Sequence, residues 1–168
     1  CLFHSGKASG LDVAAIASSG IIRFSKKTKI QYVKNKCTFW IALVDSKIRS
    51  ETSVMMEKVS KKLETQTQKI SDSLQMLGHL AEEAIACLET GKLSFLAEKI
   101  NQSHVYLQNL GVSTEQLDQM VTQLKKTGAL AAKLTGAGGG GLVLGLFQNE
   151  PQNLFRFFDK RDIFITKV

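Results

Sequence analysis

The chain has 168 residues, 43% of them hydrophobic and 22% charged, with a single proline and 13 glycines. That composition excludes disorder and fibres, and a chain of this length buries roughly two thirds of its unfolded surface without needing disulfides or a structural metal. The 22 Lys and Arg against 15 Asp and Glu give a formal charge of +7, which suits anionic partners from nucleic acids to nucleotides and small phosphorylated acids without choosing among them.

In chain order, Ile21 to Phe24 and Ile30 to Val33 read as two short strands joined by the polar Ser25-Lys26-Lys27-Thr28-Lys29, a hairpin connection. Thr38 to Val44 is nearly continuous in apolar, β-favouring residues and predicts a strand buried on both faces. From Glu51 the period becomes helical. Val54, Met55, Val59 and Leu63 predict one helix face, and Ile70, Leu74, Leu77, Ala81, Ala84, Ile85 and Leu88 a second. A third helix follows Gly91 through Leu93, Leu96, Ile100 and Leu107. A fourth opens at Ser113 with Gln116 three residues on, a capping-box arrangement, and ends at Gly128, with Leu117, Met120, Val121 and Leu124 on one side. The chain then runs through Leu130 to Leu134, a glycine run, a strand over Leu142 to Phe147, a short helix around Gln152 to Phe158 and a closing strand over Ile163 to Val168. Strands on both sides of a helical block predict an α+β sandwich, and no repeat interrupts it.

No apolar run approaches the roughly 18–20 residues of a membrane-spanning helix. The chain opens on Cys1, Leu2 and Phe3 without a charged start and apolar stretch, and this opening reads as a cut. Cys1, Cys37 and Cys87 are odd in number and lack a CxxC pair, so they read as buried or incidental thiols of a reducing compartment, with the cytoplasm as the expected location. The histidines, His4, His79 and His104, show no metal-ligand spacing; His79 and His104 fall in predicted helices, where a hydrogen-bonded structural role is expected. The basic runs Lys26-Lys27-Thr28-Lys29, Lys34 with Lys36, and Lys125-Lys126 lack interleaved aromatics, so they read as solvated faces rather than nucleic-acid or membrane contacts.

Two segments carry chemistry. Lys133-Leu134-Thr135-Gly136-Ala137-Gly138-Gly139-Gly140-Gly141 stands directly before a strand, and five of its nine residues are Gly. Backbone N–H groups freed from side-chain bulk can converge on an anion, with Thr135 adding a hydroxyl; a flexible hairpin or a close helix-to-strand contact is the plainer reading. The string is neither a P-loop nor a dinucleotide fingerprint, since it lacks a Lys-Ser/Thr after its second glycine and does not open a helix. The second segment, Gly6-Lys7-Ala8-Ser9-Gly10-Leu11-Asp12, runs into the Ala-rich Val13 to Ala17. Phosphoryl transfer to an alcohol asks little more of a protein than a carboxylate to take the hydroxyl proton and donors to hold the phosphates, and Asp12 can be that carboxylate; it can equally be a partner for a helix dipole.

Together the two strings resemble the GHMP kinases, and within them the mevalonate kinases. The resemblance extends through Asp45-Ser46-Lys47-Ile48 with Thr52, Asn101-Gln102, and Leu110-Gly111-Val112-Ser113 with Leu117-Asp118. It implies a carboxy-terminal GHMP kinase domain over residues 37–168, an antiparallel sheet packed with about four helices, preceded over residues 1–36 by the tail of an amino-terminal α/β domain. It implies ATP-dependent phosphorylation of a small-molecule alcohol, mevalonate to 5-phosphomevalonate in the isoprenoid precursor pathway, with Mg2+ as cofactor. Under that resemblance Asp12 is the catalytic carboxylate, Thr135, Gly136, Ala137, Gly138, Gly139, Gly140 and Gly141 lie at the nucleotide phosphates with Lys133 flanking them, and Ser9 and Thr52 lie near the substrate. No residue of this chain is assigned to the metal, no nucleic acid or membrane is expected, and a homodimer is left open. The family's Pro-x-x-x-Gly-Leu-Gly-Ser-Ser pattern is not found in these residues, so the chain reads as an incomplete part of the enzyme, inactive alone. The wording Gly10-Leu11-Asp12-Val13-Ala14 leans towards phosphomevalonate kinases, which stay as the alternative together with another GHMP small-molecule kinase or a non-catalytic remnant of the fold.

Overall fold

The computed structural model describes Ala15, Ser18, residues 20–25 and residues 29–168. Strands β1 (Ile22–Ser25) and β2 (Lys29–Tyr32) pair antiparallel in the expected hairpin, Ile22 opposite Tyr32 and Ser25 opposite Lys29. The second sheet contains β3 (Trp40–Asp45), β4 (Ala131–Thr135), β5 (Leu142–Phe147) and β6 (Ile163–Lys167), in the order β4-β5-β3-β6 with every neighbour antiparallel. Between β3 and β4 run four helices: α1 (Thr52–Thr65), α2 (Thr67–Thr90), α3 (Leu93–Leu110) and α4 (Glu115–Lys126). The fold class is α+β, as the sequence predicts.

The sheet's period of two sorts its residues between two cores. Ala42, Val44, Ala132, Leu134 and Val143 pack against Leu117, Met120, Val121 and Leu124 of α4. Leu146 and Ala131 join a second cluster with Cys87 and Leu88 of α2 and Leu96 and Ala97 of α3. β3 therefore differs from its prediction. Ala42 and Val44 are buried, but Ile41 and Leu43 are only half-buried, because beyond Ile41 the second face is left partly open.

Helix α4 follows the local rules closely. Thr114 caps it, its hydroxyl accepting from the Leu117 N–H at 3.3 Å, with Glu115 and Asp118 in the first turn and Lys125 and Lys126 in the last, each complementing the helix dipole. The cap thus stands one residue beyond the predicted Ser113, whose hydroxyl is engaged by Asp118, while Gln116 reaches out to the Ser46 carbonyl. In α2 the buried face contains Ile70, Ser73, Leu80, Cys87 and Leu88; Leu74 and Ala81, placed inward by the sequence pattern, are exposed. Ser73 tolerates burial because its hydroxyl donates to the Lys69 carbonyl at 2.9 Å. The predicted α1 stripe is real but shallow: Val59 packs on the core, whereas Val54 and Leu63 are exposed. The helix expected near Gln152 to Phe158 is a single 3-10 turn, Leu154–Arg156, and a second follows at Lys160–Asp162.

Candidate active-site cleft

The functional feature of the fold is where the β4–β5 connection meets the β3–α1 connection. Residues 136–141 form the first and residues 46–51 the second, and three backbone hydrogen bonds seat one on the other and on the α3–α4 turn: Gly141 N–H to Ile48 O (2.9 Å), Ser46 N–H to Gly141 O (2.9 Å) and Gly139 N–H to Val112 O (2.7 Å). Gly138 has φ +91, and a Cβ there would stand 2.7 Å from Val112 Cβ and closer still to its carbonyl, so only glycine fits. Gly139 packs against Ser50 and Met55 and turns its back on the cleft.

The remaining loop residues wall a cleft of about 320 Å³, shared with Ile48, Arg49, Ser50, Thr52 and Leu142. The N–H groups of Gly136, Ala137, Gly138 and Gly140 have no acceptor among the described residues. Across the cleft stands Thr52, first residue of α1, whose N-terminus has no side-chain cap. Loop residues and the first residue of a 14-residue helix therefore line the same space, and among the described residues the lining includes Arg49 and no carboxylate. Such a space attracts an anion, and polyphosphates above all.

The β3–α1 connection is held by its own polar groups. Asp45 accepts from the Lys47 N–H at 2.9 Å and from both terminal nitrogens of Arg49 at 2.9 and 2.8 Å. The Arg49 hydrogen bonds, then the Lys47 amide, hold the Asp45 carboxyl far below the usual carboxylate range. Lys47, in the left-handed region at φ 61, pairs with Asp162. A larger cleft of about 530 Å³ lies on the other side of this connection, walled by Asp45, Glu115, Asp159 and Asp162. Its carboxylates repel phosphates, so size does not select it.

Beneath the glycine loop, Asp118 Oδ1 receives Ser113 Oγ at 2.5 Å and His104 Nε2 at 3.0 Å. Serine and histidine both bond the carboxylate and not each other, so this is no nucleophilic triad. Burial pushes the His104 imidazole below its ordinary value, with Lys125 on α4 and Lys133 on β4 acting the same way and Asp118 opposing them. The neutral ring donates from Nε2, and its buried Nδ1 has no partner among the described residues. The unfolded chain takes up a proton at His104 near pH 6.5 while the folded chain resists, so stability drops as pH falls through that value, by roughly 1.4 kcal/mol for each unit by which the value is depressed. Melting temperatures from about pH 7.5 to about pH 5.5 should show the drop, and His104→Gln should flatten it; an unchanged profile in the variant would refute this.

Of the predicted site residues, Thr52, Thr135, Gly136, Ala137, Gly138, Gly140 and Gly141 line one cleft, and Gly139 supports it from behind. Asp12 and Ser9 lie outside the described residues, as does His4. Arg49 and Ser50 carry no expectation from the sequence beyond their place directly after the Asp45-Ser46-Lys47-Ile48 string, and Ile48 belongs to that string without an assigned role in the site. Burial also lowers the Lys133 ammonium from its ordinary value, and it has no ion-pair partner among the described residues. Among the described residues no group of three or more His, Cys, Asp or Glu is placed to hold a metal. Nor is any described helix long and apolar enough to cross a membrane.

Residues 84–162 match the family pattern of the GHMP kinases C terminal. The chain is 29% identical to the mevalonate kinase of Aeropyrum pernix over 144 residues, 85% of this chain and 44% of that protein. In fold it is similar to the L. major mevalonate kinase solved with R-mevalonate, at TM-score 0.81 and 24% identity over 88% of this chain and 46% of the other. It is also similar to the Streptococcus pneumoniae phosphomevalonate kinase solved with phosphomevalonate and AMPPNP, at TM-score 0.68 and 18% identity over 96% of this chain and 56% of the other. The chain spans about half the length of the curated relatives it matches.

Proposed function

We propose that this chain is the carboxy-terminal part of an ATP-dependent kinase of small-molecule alcohols, with mevalonate as acceptor and 5-phosphomevalonate as product. The observation that carries the reading is the cleft that the glycine loop shares with Thr52 at the N-terminus of α1, in which, among the described residues, four loop amides have no acceptor and no carboxylate lines the wall. Phosphoryl transfer spreads charge over the equatorial oxygens of the moving group, and fixed donors already aimed at them need not reorganise as the charge moves. In this reading the amides of Gly136, Ala137, Gly138 and Gly140 hold the transferring phosphate, Thr135 and Thr52 bring hydroxyls from opposite walls, and Asp12 takes the proton of the attacking alcohol. Residues 1–36 are the end of the amino-terminal half and residues 37–168 the carboxy-terminal domain.

Kinship with mevalonate kinases supports the acceptor, and a cytoplasmic setting suits the free, buried thiols of Cys37 and Cys87. The test is a panel of alcohols given to the full-length protein with ATP: mevalonate, phosphomevalonate, galactose and homoserine. Phosphate transfer to mevalonate in preference to the rest is the expected result. Preferred transfer to phosphomevalonate would move the assignment to that branch, and no transfer to any would refute the enzyme reading.

A further inference from the structure

The glycine loop does not hold its own shape. Its Gly139 N–H docks on the Val112 carbonyl, and Gly138 lies against the same residue so closely that no Cβ fits between them. Val112 belongs to the turn between α3 and α4. That turn begins where Gly111, at φ 75, ends α3, with the Gly111 and Val112 N–H groups returned to Gln108 and Leu107. Val112 itself is 5% exposed, so its side chain is anchored in the core while its carbonyl faces the loop.

What fixes the far side of the turn is Asp118. It lies in the first turn of α4, and one of its oxygens gathers the Ser113 hydroxyl from the turn and the His104 ring from α3, joining three segments at a single acceptor. A carboxylate is a stronger acceptor than a carbonyl or hydroxyl, so the junction is stiffer than a neutral one of the same geometry. His104 is 5% exposed and its Nδ1 has no partner among the described residues, an unfavourable arrangement that a leucine among these neighbours would avoid. The bond to Asp118 is what the histidine supplies and a leucine does not.

We propose that Asp118, with Ser113 and His104 as its donors, is a positioning residue for the phosphate-binding loop: it fixes the Val112 carbonyl on which Gly139 docks and so sets the direction of the free loop amides. Asp118 is 36% exposed at its side chain and sits behind Val112 and the loop, so it acts through them and not on the nucleotide. The kinetic part of this proposal rests on the kinase reading above; the structural part does not.

The test uses the full-length protein carrying Asp118→Ala and Ser113→Ala, with Asp118→Asn and Ser113→Thr as conservative partners. Asparagine keeps the accepting oxygen and can turn its amide to water, and threonine keeps the hydroxyl, so both should restore what alanine loses. In the alanine variants amide hydrogen exchange at Gly139 should quicken roughly tenfold, the consequence of weakening a bond to a charged acceptor. The KM for ATP should rise by about the same factor while the KM for the alcohol moves less than about twofold. A merely structural role would lower the melting temperature without separating the two KM values. Unchanged Gly139 exchange in Ser113→Ala, which removes one donor from an otherwise intact junction, would overturn the proposal even if Asp118→Ala fails to fold. Faster exchange with an unmoved ATP KM in a turning-over enzyme would overturn its link to the nucleotide. If no alcohol is phosphorylated at all, the kinase reading fails, and the exchange measurement still judges the positioning role.

Discussion

Gly138→Ala is expected to cost the full-length protein about a hundredfold or more in kcat/KM for ATP, and Gly136→Ala much less. Both glycines lie in the left-handed region, at φ +91 and φ +88, so both substitutions carry backbone strain of about 1–3 kcal/mol. Only Gly138 adds a collision. Its new Cβ would meet the Val112 carbonyl and Cβ, and Val112 is buried in the core, so the loop must give way instead. At Gly136 nothing among the described residues lies within 4 Å of the added atom. In the proposed kinase reading, moving the loop carries its amides off the phosphate, and a misplacement of about 1 Å in such donors is enough for a hundredfold loss. Steady-state kinetics on the two variants beside the parent, with thermal melts to separate unfolding from misplacement, give the comparison. Equal effects at the two positions would mean that strain alone matters and that contact with the α3–α4 turn does not.

That contact marks the limit of what the chain's order of residues reveals. The glycine string was conspicuous because so many glycines in succession exceed the needs of a turn, and its place before β5 put it at a strand end. The helices followed from spacing, since Leu117, Met120, Val121 and Leu124 can share a side only in a helix, and all four are buried. Finer assignments depended on partners that spacing does not encode. Ser113 and Thr114 are adjacent and chemically alike, and the cap passed to Thr114 because Asp118 had already taken the Ser113 hydroxyl. Ser73 entered the α2 face in place of Leu74 because its hydroxyl found a carbonyl within its own helix. The place of residues 48–50 at the cleft is not legible in the sequence because it comes from a backbone bond between Ile48 and Gly141, 93 positions apart, and no side-chain pattern records it. The resemblance put Thr52 near the substrate and the glycine loop at the phosphates, and both line one cleft. Asp12 and Ser9, outside the described residues, rest on the resemblance alone.

Asp12→Asn is expected to lower kcat of the full-length protein by about 10²–10⁴-fold, the range for removing a positioned general base, while leaving the KM for ATP within about twofold. Asparagine keeps the size and the hydrogen-bonding shape of the aspartate but cannot accept the proton that the alcohol must lose as its oxygen attacks. The damage therefore falls on the transition state and not on nucleotide binding, the reverse of the pattern expected when Asp118 or Ser113 is altered. The two kinds of lesion also predict how they combine. If Asp12 and the loop amides act on the same migrating phosphoryl group, Asp12→Asn with Gly138→Ala should be less damaging than the product of the single effects, because a phosphate already displaced gains little from a base aimed at its former position. If instead the losses multiply in full, the carboxylate and the loop serve separate steps. An Asp12→Asn protein that keeps its parent's kcat would remove Asp12 from the chemistry and leave the cleft as a nucleotide-binding surface without its base.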